Sequence, residues 1–197
     1  LAARGSKDDG GSGTTADGAA LGQQVADVEV ASGADAAPAL AAYDGTAAED
    51  PAVGETIPTV TGQSFDGTPI TIEPTGKAQI LLFVAHWCPH CRREVPRIAA
   101  HLAEDPLPDD VTLTTISTAV AEARGNYPPQ TWLEDEDWPF PVLVDSAESA
   151  AATAFGLSGF PYFVAVDAEG RVVARGSGEL STDAFDELVK RAEAGLD

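Results

Sequence analysis

Cys88 and Cys91 are the only two cysteines in the 197-residue chain, and Pro89 and His90 separate them. A pair at this spacing can close a small disulfide or supply half of a metal site. With no second cysteine pair to complete a tetrahedral centre, the spacing points first to reversible dithiol chemistry. In that chemistry one thiolate attacks a disulfide and the other cysteine resolves the product, so the two sulfurs need different surroundings.

The flanking sequence supplies that difference. Residues 80–85 form an apolar run with the length of a buried strand. Beyond the pair, Cys91, Val95, Ile98 and Leu102 recur at helical spacing. The pattern predicts a strand, a tight junction and a helix starting at the motif, with Pro89 suited to the first turn because it lacks the amide proton that would be orphaned there. Cys91 falls on the packed face. Cys88 falls at the helix N-terminus, exposed, where unpaired N–H groups favour a thiolate, which makes Cys88 the expected nucleophile.

The rest of the chain predicts a scaffold around this junction. Residues 60–65 and 69–72 flank Asp66-Gly67 as a hairpin. Residues 111–116 and 141–144 read as strands, residues 128–136 as a short helix with Trp132 and Leu133 inward, and Asp145 with Glu148 as a capping-box start to a helix ending near Gly156. Residues 162–166 and 171–175 pair across the turn at 167–170. A last helix starts at Ser181, with Phe185, Leu188, Val189 and Ala192 on one face. This order gives an α/β fold, a central mixed sheet with helices on both faces.

Composition narrows the partners. The formal charge of −21 argues against nucleic acid or an anionic membrane surface, both of which need clustered Lys and Arg. Residues 1–50 are rich in Ala, Gly, Asp, Ser and Thr, hold one aromatic residue, Tyr43, and show no periodicity, so they read as a disordered acidic tether ahead of a domain spanning 51–197. A tether of this composition fits a chain whose membrane anchor lies upstream.

On these residues a resemblance can be named. Trp87-Cys88-Pro89-His90-Cys91 after a buried strand, Phe160-Pro161 before the penultimate strand and the hairpin at 167–170 resemble the thioredoxin fold. Cys91 to Pro96, the strand after Phe140 and the N-terminal β-hairpin are similar to the TlpA-like and ResA-like extracytoplasmic thiol-disulfide oxidoreductases. The resemblance covers roughly residues 51–197. It implies protein substrates with disulfides or dithiols, no cofactor, a membrane redox partner that resets the dithiol, and a location at the outer face of a bacterial cytoplasmic membrane. It also implies that Pro161 is cis beside the dithiol and that Phe160 offers its backbone to a substrate strand. Spacing alone makes Pro161 a turn or strand-edge proline.

Several neighbours carry more than one reading. Glu94, one turn beyond Cys91, is either a proton carrier for that cysteine or a solvated carboxylate; the resemblance associates its position with the active site, and Leu82 stands where thioredoxins proper carry a buried acid. His90 stabilises the Cys88 thiolate and makes the protein an oxidant, or is overridden by a reducing scaffold. Its third reading is as a metal ligand with His86, Cys88 and Cys91, in a copper- or zinc-binding carrier. Outside that reading His86 is a surface residue and His101 has no role. Trp87 shapes access to the dithiol, Trp132 and Trp138 are core or rim, and Arg92, Arg93 and Arg97 either attract an acidic partner or offset local acidity.

Overall fold

The computed structural model describes residues 21–45 and 50–196. The apolar run becomes β4 (Ala78–Val84), all seven residues of it buried. A strand with no solvated face belongs in the middle of a sheet. β4 pairs in parallel with β5 (Val111–Ser117) and antiparallel with β7 (Tyr162–Val166). β6 (Val142–Val144) extends the sheet beyond β5, and β8 (Val172–Ser177) extends it beyond β7. The predicted hairpin is β2 (Val60–Gln63) and β3 (Pro69–Ile72), with β2 joined to β6 through Gln63 and Val144. A two-residue strand β1 (Glu29–Val30) also pairs with β2, giving the order β1-β2-β6-β5-β4-β7-β8, with β3 on β2. The result is the thioredoxin-like mixed sheet that the sequence predicts.

Alternation along β4 sets two cores. Ile80, Leu82 and Val84 point to the face covered by α1 (Pro89–Glu104) and α4 (Thr182–Ala194). The predicted stripe of α1 is buried with one addition, Glu94. α4 is capped by Ser181, whose Oγ accepts from Ala184 N–H at 3.2 Å, and its inward residues are the four predicted. α2 (Pro129–Asp135) likewise buries Trp132 and Leu133.

The other face departs from expectation. Leu81, Phe83, Tyr162 and Val164 lie there against α3 (Ala150–Ala154), a helix of only five residues. The capping box at 145–148 does not start it. Asp145 is buried at the end of β6, and its carboxylate accepts from the Ala151 and Ala152 N–H groups at 2.8 and 3.1 Å and from the Thr118 hydroxyl at 2.7 Å. The chain loops between cap and helix, through Ser149 at φ 58°.

So short a helix leaves apolar sheet uncovered, and the segment expected to be a tether covers it. Leu40 and Tyr43 of that segment join this second core, beside Ala52 and Ile57. Leu40 N–H donates to Ala154 O at 2.8 Å, and Tyr43 N–H to Gly156 O at 2.9 Å. Arg175, itself buried, donates to Ala41 O at 2.7 Å and through Nε to Asp50 at 2.8 Å. The domain boundary at residue 51 is therefore corrected: residues 21–45 and Asp50 belong to the folded unit. Residues 1–20 and 46–49 of the expected tether lie outside the described residues.

Candidate active site

The strand-to-helix junction places the dithiol where β4 ends at the head of α1. Cys88 is the N-cap, with extended backbone (φ −75°, ψ 121°), and its carbonyl accepts the first helical bond from Arg92 N–H at 3.1 Å. Cys88 is 5% exposed and Cys91 0%. Cys91 is shielded as predicted, but Cys88, expected to be exposed, is buried as well. The enclosure comes from the loop of the late proline: Cys88 Sγ lies 4.0 Å from the Phe160 carbonyl oxygen. The Phe160–Pro161 peptide bond is cis, as is Tyr127–Pro128. Burial, then the neighbouring sulfur and Glu94, push the Cys91 thiol well above its ordinary range, so its proton needs an acceptor.

Glu94, one turn beyond Cys91, acts on that thiol electrostatically. Its side chain is wholly buried, which pushes its carboxyl up, while its partners pull the other way. Oε1 accepts from Leu180 N–H at 3.2 Å, and Oε2 pairs with Arg97. The solvated alternative is excluded by this burial.

His90 pairs with a residue that sequence reasoning missed. Its Nδ1 lies 2.6 Å from Glu179, which also accepts from Arg93 at 2.5 Å through Nη2 and at 3.0 Å through Nε. The same Nδ1 also lies 3.0 Å from Arg93 Nη2, which can only donate, so the carboxylate and the guanidinium compete for this nitrogen. Arg93 and then His90 hold the Glu179 carboxyl down at about 2. Arg93 and Arg97 thus offset local acidity as expected. Glu179 stands 89 residues from His90, in the loop between β8 and α4, and nothing local in its sequence marks it.

His86 is corrected from surface to core. It is buried, Ala121 N–H donates to its Nε2 at 3.1 Å, and its Nδ1 is 2.8 Å from Gly125 O. Since Nε2 accepts, Nδ1 donates, which fixes the neutral tautomer; burial lowers its pKa and favours the same form. The continuation of the apolar run past residue 85 was the available signal. Both ring nitrogens being engaged, His86 has no free donor for the metal set with Cys88, His90 and Cys91. Among the described residues the grouping with metal-ligand spacing is a different one, His101, Asp105 and Asp186. His101 is 2.7 Å from Asp186.

Trp87 borders the dithiol. Its indole N–H donates to Ala119 O at 2.8 Å, its ring meets Phe160 edge-on at 5.8 Å, and the Arg124 guanidinium lies 3.6 Å from its ring centre. Trp138 is a rim residue bonded to Thr115 at 2.9 Å.

Comparison with known proteins places the chain in a family. The Redoxin family model matches residues 52–194. The chain is similar to the sporulation thiol-disulfide oxidoreductase A of Bacillus subtilis (strain 168), with 27% identity over 84 residues, 43% of this chain and 50% of that protein. It thus spans about half the length of the curated relative it matches. A solved structure described as a thiol:disulfide interchange protein, thioredoxin family protein, from Chlorobium tepidum TLS is similar at 29% identity and a TM-score of 0.57, over 71% of this chain and 96% of that one. StoA from Bacillus subtilis shares the fold at 22% identity and a TM-score of 0.55, over 73% of this chain and all of that one. With a matched segment that runs from the first residues after Asp50 to the end of α4, the chain belongs to the Redoxin family.

Proposed function

We propose that this protein is a thiol-disulfide oxidoreductase that exchanges disulfides with protein substrates through Cys88 and Cys91. The observation that carries the reading is the placement of Cys88 as N-cap of α1 against Phe160, with Cys91 fully buried one turn on.

In the reducing direction Cys88 thiolate attacks one sulfur of a substrate disulfide. A Cys88–substrate bond forms, and the other substrate sulfur leaves as a thiolate that takes up a proton. Glu94 accepts the Cys91 proton, Cys91 attacks Cys88 Sγ, and the second substrate sulfur departs with a proton. The substrate disulfide gains two electrons and the protein dithiol loses them. The reverse sequence donates a disulfide. Phe160, Pro161 and Trp87 bind the substrate segment beside Cys88, and His90, through its pairing with Glu179, tunes the potential. The chemistry needs no cofactor.

The cellular setting follows from the resemblance and the composition of the N-terminal residues: an extracytoplasmic enzyme, anchored upstream of this chain at a bacterial cytoplasmic membrane and reset by a membrane redox partner. Among the described residues no helix is long and apolar enough to cross a membrane. Reduction of insulin disulfides with dithiothreitol as electron source tests the activity. Turnover is expected from the wild-type chain and none above background from Cys88→Ser; equal turnover by both would refute the reading.

A further inference from the structure

Seven arginines lie among the described residues, in a chain of formal charge −21. Five have a carboxylate partner: Arg93 on Glu179, Arg97 on Glu94, Arg171 on Asp167, Arg175 on Asp50 and Arg191 on Glu187. The remaining two, Arg92 and Arg124, are exposed and flank the dithiol. Arg92 follows Cys88 by one helical turn. Arg124 reaches the site from the loop between β5 and α2.

That loop is stapled in place. His86 accepts from Ala121 N–H and donates to Gly125 O, Asn126 donates to His86 O at 3.0 Å, and Trp87 donates to Ala119 O. On this platform the Arg124 guanidinium lies over the Trp87 indole, 3.6 Å from its centre. Stacking occupies the face of a guanidinium and leaves its in-plane N–H donors free, in the fork geometry that matches a carboxylate. The nearby acids are otherwise engaged, Glu179 by Arg93 and His90, and Glu122 by the Tyr127 hydroxyl at 3.4 Å. Cys88, Phe160, Trp87 and Arg124 are linked by successive contacts.

We propose that Arg124, assisted by Arg92, is a specificity residue that receives an Asp or Glu side chain lying within a few residues of the reactive cysteine in an extended protein substrate. The inference rests on the disulfide-exchange reading and names the substrate class. Among the described residues, the lysines without a carboxylate partner lie away from the dithiol, Lys77 ahead of β4 and Lys190 beside the C-terminal end of α1, so Arg92 and Arg124 are the cations at this end that orient such a segment as well as bind it.

The test uses three cystine-bridged peptides identical except for Glu, Gln or Lys beside the attacked cysteine. Second-order rates with the reduced wild-type chain are each normalised to the same peptide's rate with dithiothreitol, which removes intrinsic reactivity. The expected order is Glu, Gln, Lys, spread over about tenfold at low salt and compressed at high salt. Arg124→Glu reverses the order, and Arg124→Gln levels it. Equal rates, a preference for Lys, or an order unchanged in Arg124→Glu would overturn the inference and leave the exchange activity standing. No reaction of the wild-type chain with the Gln peptide would overturn the exchange reading itself, and the inference with it.

Discussion

His90 Nδ1 and Glu179 Oε1 lie 2.6 Å apart, so the imidazole inside the C-x-x-C motif is paired with a carboxylate from the far end of the chain. The same carboxylate binds Arg93, whose charge reaches Cys88. Glu179 therefore offsets the positive charge that would otherwise favour a thiolate. Its removal should stabilise the reduced form and make the protein more oxidising. For Glu179→Gln we expect the reduction potential to rise by about 30 mV, a tenfold change in the exchange equilibrium. Equilibration against glutathione buffers measures it; a fall in potential would contradict this role.

Glu94 governs the second half of the reaction. Its burial raises its pKa, so it ionises above the ordinary carboxylate range, and only the ionised form can take the Cys91 proton. The rate of mixed-disulfide resolution should rise with pH through that titration. In Glu94→Gln this rise disappears and resolution slows about a hundredfold near neutrality. Stopped-flow decay of a preformed mixed disulfide reads both effects, and an unchanged pH profile would remove Glu94 from the mechanism.

The junction, the strands around it and the inward faces of α1 and α4 were legible because each is written in local periodicity. The helix stripe at 91, 95, 98 and 102 needs no distant partner to be recognised. The N-terminal segment was not legible for the opposite reason. Leu40 and Tyr43 are isolated apolar residues, and their neighbours dock by backbone bonds and through Arg175, none of which leaves a pattern in sequence. Glu179 escaped in the same way, as a loop acid whose partners come from α1. The length of α3 was overestimated because Asp145 looks like a box cap but acts from the end of a strand.

The buried pair of Asp50 and Arg175 gives the N-terminal segment a stability signature. Burial pushes the Asp50 carboxyl up, but hydrogen bonds from Arg175 and Ala52 win and leave it below its ordinary value. A depressed carboxyl contributes stability above the ordinary Asp range near 3.9, and that contribution is lost as pH falls toward the folded-state value. Asp50→Asn leaves a buried guanidinium unpaired and should cost about 3–5 kcal/mol at neutral pH. The gap to wild type should narrow near pH 3. Urea unfolding at both pH values tests this; equal stability at neutral pH would mean that the segment is not anchored there.

The division of labour between the two sulfurs is tested most directly by trapping. Cys91→Ser and Cys88→Ser are each incubated with a disulfide-bonded protein, quenched in acid and analysed by mass spectrometry for covalent adducts. The account predicts a stable mixed disulfide with Cys91→Ser, through Cys88, and none with Cys88→Ser, whose remaining thiol is buried and holds its proton. An adduct formed by Cys88→Ser, with none from Cys91→Ser, would reverse the assignment of nucleophile and resolving cysteine.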